Sequence, residues 1–482
     1  MEMLNITPTQ KQNSTNNTPK LQSYIFDNID PSIINGIRRI VLSELPHIAM
    51  DHETISNTNT IIEHNTSCLH NEMLINRLSL IPLNNEHKIL TIITVWDEEK
   101  QQRVSKFKYP DLIPTFTLDV RHNKYLNFKR SNLKVITADD FVCIYSPEKQ
   151  STITNLGFNH KNISDNIFAL DSITNEHCIF LYLKPSPTNE NYQKICLKAT
   201  PIVGQPKQYA SFCQVGTIQY ENVQLSEQKQ IEKFQAKLHA LNKERDSKGM
   251  KPMTSEQEKK EKLVFNTLDA QRAFHINKYG EPNRIKLTIQ SINDKVPNQI
   301  LFDAINWFIL KLKDLKHVLH HVPYESVHIK DINTDLKIQW LHNSTQMKYA
   351  CELCIRDETH TIGNLLSTFC KMLYNDDRNN EAEQKPLRKS LDFVSYNMPH
   401  PLKNNIHIRM KLNENNVKAV HNILRPEEKP LKNELQQKNK LCSLILIDCI
   451  DHIIENYLSQ MLDNIKLNDN TISTTKSFSV QN

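Results

Sequence analysis

The sequence predicts an α+β protein in which two related units, each of strands plus two helices, pair within one chain around an inserted β-rich domain. Three observations predict it. A helix-forming stretch at 30–50 returns in similar form at 360–370: aligning Asn35 with Asn364 pairs Ser32 with Thr361, Ile33 with Ile362 and Ile37 with Leu366. The separation, 364 − 35 = 329 residues, is far beyond any solenoid period and points to two related domains. The order strand, helix, strands, long helix also occurs twice, and each half leaves apolar helical surface that the other half can cover. Between residues 84 and 209, finally, turn residues separate short β-like runs.

Taken in order, residues 1–20 are rich in Asn, Thr and Gln and read as a disordered arm, without the basic and apolar regions of a secretory signal. A strand at 22–29 feeds the first helix. Asp30 can accept hydrogen bonds from the free N–H groups of its first turn, Pro31 suits the first helical position, and Pro46 stops the run. Ile33, Ile34, Ile37, Val41 and Leu42 form one buried stripe, while Arg38 and Arg39 carry charged heads that need water or a partner. A second strand spans 47–56. Residues 66–83 read as a short helix with Leu69, Met73, Leu74 and Leu78 inward, then a strand broken by Pro82. Arg77 on that helix is either a structural or solvated side chain or a contact to another subunit.

The β-like runs of the insertion lie at 89–96, 115–121, 140–146, 178–184 and 194–199, and a further strand at 215–220 follows it. Residues 226–263 are dominated by Glu, Lys and Gln. Ile231, Phe234, Leu238 and Leu241 predict one short amphipathic helix before Gly249 and Pro252, then a solvated linker; the helix lies on its own domain or docks on a partner. Residues 284–292 alternate as a strand, and Pro297 opens a long helix whose stripe from Ile300 to Leu315 is wide enough to need cover on more than one side. His317, His320 and His321 crowd its end, where a helix C-terminus favours them and no further ligand set suggests a metal. The second half repeats the order with strands at 348–356, 392–396 and 405–412, the helix from Thr361, and a final helix with a broad stripe from Leu446 to Ile465.

With 482 residues, 38% hydrophobic and 23% charged, the chain has the composition of a globular protein of two to four domains. No apolar run approaches the ~18 residues needed to span a bilayer, so no membrane partner is expected. Net charge is +5 from 59 basic and 54 acidic residues, too small and too evenly mixed to announce nucleic-acid binding. Seven glycines and the lack of GxGxxG or GxxxxGK[ST] argue against phosphate-cradling loops. The ten scattered cysteines read as thiols of a reducing, cytoplasmic compartment, and Cys351 and Cys354, a lone CxxC on a strand, point to opposite faces. Neither an acidic magnesium cluster, a nucleophile elbow nor an HExxH helix is present, so no catalytic residues and no cofactors are expected.

Residues 33–45, 66–83 (TSCLHNEMLINRLSLIPL) and 198–212 (KATPIVGQPKQYASF) resemble the third-largest subunit of eukaryotic RNA polymerase II and its archaeal counterpart. Residues 357–366 (DETHTIGNLL) and 396–412 (YNMPHPLKNNIHIRMKL) resemble the small partner of that protein, the eleventh subunit or its archaeal equivalent, and both relate to the N-terminal domain of bacterial alpha. The resemblance implies two alpha-type dimerisation domains fused in one chain, as in large DNA viruses that transcribe with their own polymerase. The first would comprise 21–83 and 210–322, with 84–209 inserted and a polar insertion at 225–280; 323–344 would be a linker, and 345–482, with a polar insertion at 413–440, the small-partner-like domain. It implies a non-catalytic platform that pairs its two halves intramolecularly and seats the two largest subunits, which hold the catalytic magnesium, beside small polymerase subunits; DNA and RNA would be reached only through the complex. The subunit interface would use Asn35, Gly36, Arg38 and Arg39, Arg77, and the counterpart residues His360, Thr361, Gly363 and Asn364. Residues 84–100 lack the cysteines of the zinc loop found in many eukaryotic relatives, so no zinc is expected. Location would be cytoplasmic, in viral factory and virion for a virus, or nuclear. A polymerase-derived adaptor outside the core enzyme and a free-standing nucleic-acid-binding protein are the alternative readings.

Overall fold

The computed structural model describes residues 6–9, 21–53, 59–84, 88–99, 102–122, 133–155, 167–171, 174–185, 192–277, 280–293, 295–328, 333, 336–342, 349–375, 390–413, 434–468 and 479–480. In chain order the strands are β1 (Ile6–Thr9), β2 (Leu21–Asp27), β3 (His47–Met50), β4 (Thr60–Asn65), β5 (Ile92–Asp97), β6 (Gln102–Phe107), β7 (Thr115–Arg121), β8 (Lys134–Thr137), β9 (Val142–Ile144), β10 (Ile179–Leu183), β11 (Lys194–Ala199), β12 (Pro201–Gly204), β13 (Val215–Asn222), β14 (Arg284–Ser291), β15 (Ser326–Val327), β16 (Ile338–Leu341), β17 (Ala350–Arg356), β18 (Leu391–Asn397), β19 (Asn405–Leu412) and β20 (Ser479–Val480). The helices are α1 (Pro31–Ser43), α2 (Asn71–Ser79), α3 (Pro147–Asn155), α4 (Glu227–Ser247), α5 (Ser255–Val264), α6 (Pro297–His321), α7 (His360–Tyr374), α8 (Glu434–Ile453) and α9 (Ser459–Asn468), the last two joined by a π-type turn.

Two sheets frame the main core. One has the order β1-β2-β14-β13 and the other β15-β16-β17-β19-β18. In the first, the antiparallel β2–β14 register places Phe26 against Ile285 and Tyr24 against Leu287, so the strands alternate apolar residues onto the face that α1 covers. Helix α1 begins as its residues dictate, with the Asp30 carboxylate accepting from the Ser32 N–H at 2.8 Å and Pro31 in the first turn. A single apolar core runs from Tyr24 and Ile33 through α6 to Trp340, Leu366, Ile450 and Ile465.

A second core includes residues on both sides of 84, the expected start of the insertion. Ile48, Met50, Leu74, Leu78 and Leu83 pack with Phe116, Phe168 and Phe180, and β4 pairs with β11 just as β3 pairs with β12. The segment from Ile48 to Leu83 therefore contributes to the second core. The stripe of α2 is apolar enough for either core, and only the strands on each side of it decide which one it joins. Met73, expected inward, is exposed, and Ile75 is buried in its place. At the joint the buried His47 donates from Nε2 to the Leu83 carbonyl at 3.2 Å, and burial with Lys295 nearby brings its pKa down to about 3, keeping the ring neutral.

Further expectations are corrected. The arm at 1–20 contributes β1, whose backbone pairs with the open edge of β2, and 10–20 lie outside the described residues. The predicted linker 323–344 supplies β15 and β16, because Ile338, Trp340 and Leu341 are buried in the second sheet. The polar stretch at 226–263 forms two helices in a hairpin: Phe234 of α4 meets Phe265 at a centroid distance of 5.3 Å, and Lys237 reaches Asp269 at 2.6 Å. Within the polar insertion at 413–440, α8 already starts at Glu434 and buries Asn439, which donates to the Tyr324 carbonyl at 2.9 Å; 414–433 lie outside the described residues.

Both glycines of the repeated helix sit where another element approaches too closely for a side chain. A Cβ on Gly36 would come within 2.7 Å of the fully buried Phe308 ring, whereas one on Gly363 would strike the ring of Tyr396, which is only partly buried and can move outward. Gly36→Ala should therefore destabilise the protein by about 1–3 kcal/mol, and Gly363→Ala by less. Equilibrium chemical unfolding of both variants checks the order; equal or reversed costs would contradict it.

Candidate subunit interface

Helices α1 and α7 cross, with the absent side chain of Gly36 facing Phe308 of α6 on one side and Thr361 of α7 at 3.7 Å on the other. Eight of the nine residues predicted for the interface lie on these two packed helices, with Gly36 against Thr361 as the contact between the two sets. Gly36 and Gly363 are buried, so they serve packing inside the chain; this corrects any reading of them as surface offered to another subunit. Arg38 lies half-buried and donates from Nε to the Ile218 carbonyl of β13 at 3.3 Å, with Asn35 Oδ1 at 3.5 Å from its Nη1. Arg39 is exposed, and among the described residues its guanidinium has no hydrogen bond or ion pair. On α7, His360 and Asn364 are exposed, and the His360 ring meets Tyr396 edge-on at 5.8 Å. The ninth residue, Arg77, lies apart: it donates to the carbonyls of Phe180 at 2.8 Å and Ile179 at 3.1 Å, bracing α2 against β10. These bonds give it a structural role within the chain.

Sequence reasoning missed the charges that tie the two halves together. Lys311 on α6 reaches Glu44, at the end of α1, at 2.7 Å and Glu358, just before α7, at 3.0 Å; Lys337 stands 3.4 Å from the other oxygen of Glu358. Burial pushes the Glu44 carboxyl up, but Lys311 and Lys207 outweigh it and hold the group below its ordinary range. Burial likewise opposes the Lys311 charge, yet Glu358 and Glu44 keep the ammonium above its usual value. Two more pairs anchor the same helix: Asp314 takes a bidentate contact from Arg103 of β6 at 2.7 and 2.9 Å, and Lys316 meets Asp451 of α8 at 2.6 Å. The network lines a cleft of about 480 Å³ that also holds Trp96 and Trp307. It holds helices in register.

The buried cysteines are accounted for by packing. Cys351 meets Cys442 of α8, and Cys370 meets Cys449, while Cys354 faces the other side of β17, where burial raises its thiol to about 11. Beside it, Glu352 is held below its ordinary range first by a hydrogen bond from His407, at 3.0 Å, and then by Arg409. Among the described residues no group of three or more His, Cys, Asp or Glu is placed to hold a metal, and no helix is long and apolar enough to cross a membrane.

The chain is thus a mixed structure of sheets and helices in which α1 packs on α6 and α7. Residues 24–312, more than half of the chain, match the RNA polymerase Rpb3/Rpb11 dimerisation domain, and the chain belongs to that family. Over 59 residues it is 41% identical to DNA-directed RNA polymerase subunit Rpo3 of Pyrobaculum aerophilum, covering 12% of this chain and 20% of that protein. Over 66 residues it is 39% identical to Rpo3 of Pyrobaculum calidifontis, covering 14% and 23%. Against DNA-directed RNA polymerases I and III subunit RPAC1 of Saccharomyces cerevisiae, identity is 37% over 75 residues, 15% and 20% of the two chains. The chain thus matches about a fifth of the length of these curated relatives.

Removing the central cation tests the network. Lys311→Met leaves the buried Glu44 carboxylate with only the field of Lys207 and Glu358 with Lys337 alone, and should cost about 3–5 kcal/mol at neutral pH. The sign with pH follows from the shifts. Glu44, lowered in the fold, stabilises above the ordinary carboxylate range and loses that contribution as pH falls through its folded value; Lys311, raised, stabilises throughout the range below its ordinary value. The wild type should therefore weaken on acidification, while the deficit of Lys311→Met narrows as its carboxyls protonate. Unfolding curves across that range decide, and a deficit independent of pH would contradict the assignment.

Proposed function

We propose that the chain is a non-catalytic assembly subunit of a multi-subunit DNA-directed RNA polymerase, formed by fusion of a third-subunit-like half with an eleventh-subunit-like half that pair intramolecularly. The observation that carries this reading is the crossing of α1 on α6 and α7, which puts the two copies of the repeated helix in contact within one chain. Family membership over 24–312 supports the first half, and the repeated helix motif supports extending the reading to the second, which lies beyond that match. The cores favour revised limits: about 21–45 and 213–322 for the first domain, 46–212 for the insertion, and 326–468 for the small-partner-like domain. Tethering favours pairing in one chain because it supplies a high effective concentration.

In this reading Arg39, His360 and Asn364, with Arg38 and Asn35 behind them, meet the two largest subunits, which carry the catalytic magnesium; the small polymerase subunits bind elsewhere. A guanidinium suits carboxylates or carbonyls of such a partner because it can bind them bidentately. Fusion of the two halves favours a large DNA virus with its own polymerase, acting in a cytoplasmic factory and carried in the virion, or alternatively in the nucleus.

Gentle purification of the tagged protein from its native setting, with mass spectrometry of stoichiometric partners, tests the proposal. Two very large chains, RNA-synthesising activity and one copy of this protein per assembly are expected; recovery alone, or only with regulators or nucleic acid, contradicts it. Arg39→Glu should reduce recovery of the large chains by about ten-fold without changing thermal unfolding of the isolated protein.

A further inference from the structure

A small cavity of about 200 Å³ lies at the C-terminal end of α6, where three parts of the chain meet. Trp96 and Glu98 come from β5 and the turn after it, His317 and His321 from the last turns of α6, and Leu336 and Ile338 from the second half. Among the described residues no Lys or Arg lines it. Glu98 is exposed and has no hydrogen bond or ion pair among the described residues. The rings pack around the space: Trp96 meets His317 at 6.2 Å and 71°, and His317 meets His321 at 4.5 Å. His321 donates from Nδ1 to the His317 carbonyl at 2.8 Å, so in the neutral ring Nε2 remains an acceptor.

Three features of the described wall favour positive charge. The end of a 25-residue helix presents carbonyl oxygens and the negative pole of its dipole. An indole face attracts cations, and the Glu98 carboxylate adds a full negative charge. Among the described residues, Arg103 is paired with Asp314, Lys316 with Asp451 and Lys337 with Glu358. An anion would be repelled, and a purely apolar side chain would leave Glu98 unused.

We infer that the cavity receives the guanidinium of an arginine side chain from a partner protein. Arginine fits better than lysine because its planar, weakly hydrated head can lie against the Trp96 ring while its N–H groups reach Glu98 and the helix-end acceptors. The inference rests on the cavity alone and does not require the partner to be a polymerase component.

N-acetyl-arginine amide, titrated into the purified full chain at millimolar concentrations, tests it by tryptophan fluorescence. Trp307 and Trp340 are buried, at 7% and 0% exposure, so Trp96 is the responsive reporter. A saturable change is expected, lost in Trp96→Phe, absent with N-acetyl-norleucine amide, and weakened about five-fold or more by Glu98→Gln with thermal unfolding unchanged. No saturable change, an equal response to norleucine, a signal that survives Trp96→Phe, or insensitivity to Glu98→Gln would each overturn the assignment.

Discussion

The rest of the structure depends on the burial of α6 from several sides. Ile300, Leu301, Ala304, Ile305, Phe308, Leu312 and Leu315 are all at most 1% exposed, so no single sheet can cover them. The first half covers one side with α1 and β14, and the second half covers another with α8 and α9. Burying each such side chain is worth roughly 1.5–3 kcal/mol, so separating the halves would return much of one helix face to water.

Polar groups on the same helix then choose among the ways an apolar helix could pack. Hydrophobic contact is non-directional, whereas Lys311 is satisfied only if the end of α1 and the approach to α7 are both in place. Arg103 and Asp314 add the insertion, and Lys316 with Asp451 adds α8. Each pair contributes little if water reaches it, and the partly exposed Lys316 pair is the weakest of them. Their collective effect is registration: one helix records the position of every domain.

Much of this was legible from local pattern. The cap at Asp30 and Pro31, the stripe of α1 and the breadth of the α6 stripe are all present as read. Which core α2 joins was not legible, because Leu74 and Leu78 have the same spacing whichever sheet they face. The charge network was equally hidden, since Glu44 and Lys311 are 267 residues apart and neither has an unusual neighbour in sequence. The second helix of the hairpin did leave a trace: Thr254 and Gln257 form a capping box, with Thr254 N–H donating to Gln257 Oε1 at 3.2 Å, even though the stretch lacks an apolar stripe. Among the residues expected at the interface, sequence could not separate Gly36, which packs inward, from Arg39, which faces solvent.

The central claim is that α6 makes the two halves one cooperative unit. Native-state hydrogen exchange, read at the backbone amides of α6, α7 and α8 with increasing denaturant, tests it most directly. Amides of all three helices should converge on a single opening free energy, equal to that of global unfolding. Exchange of α7 and α8 through a separate, cheaper opening, with α6 still protected, would show that the halves fold independently and would contradict the account.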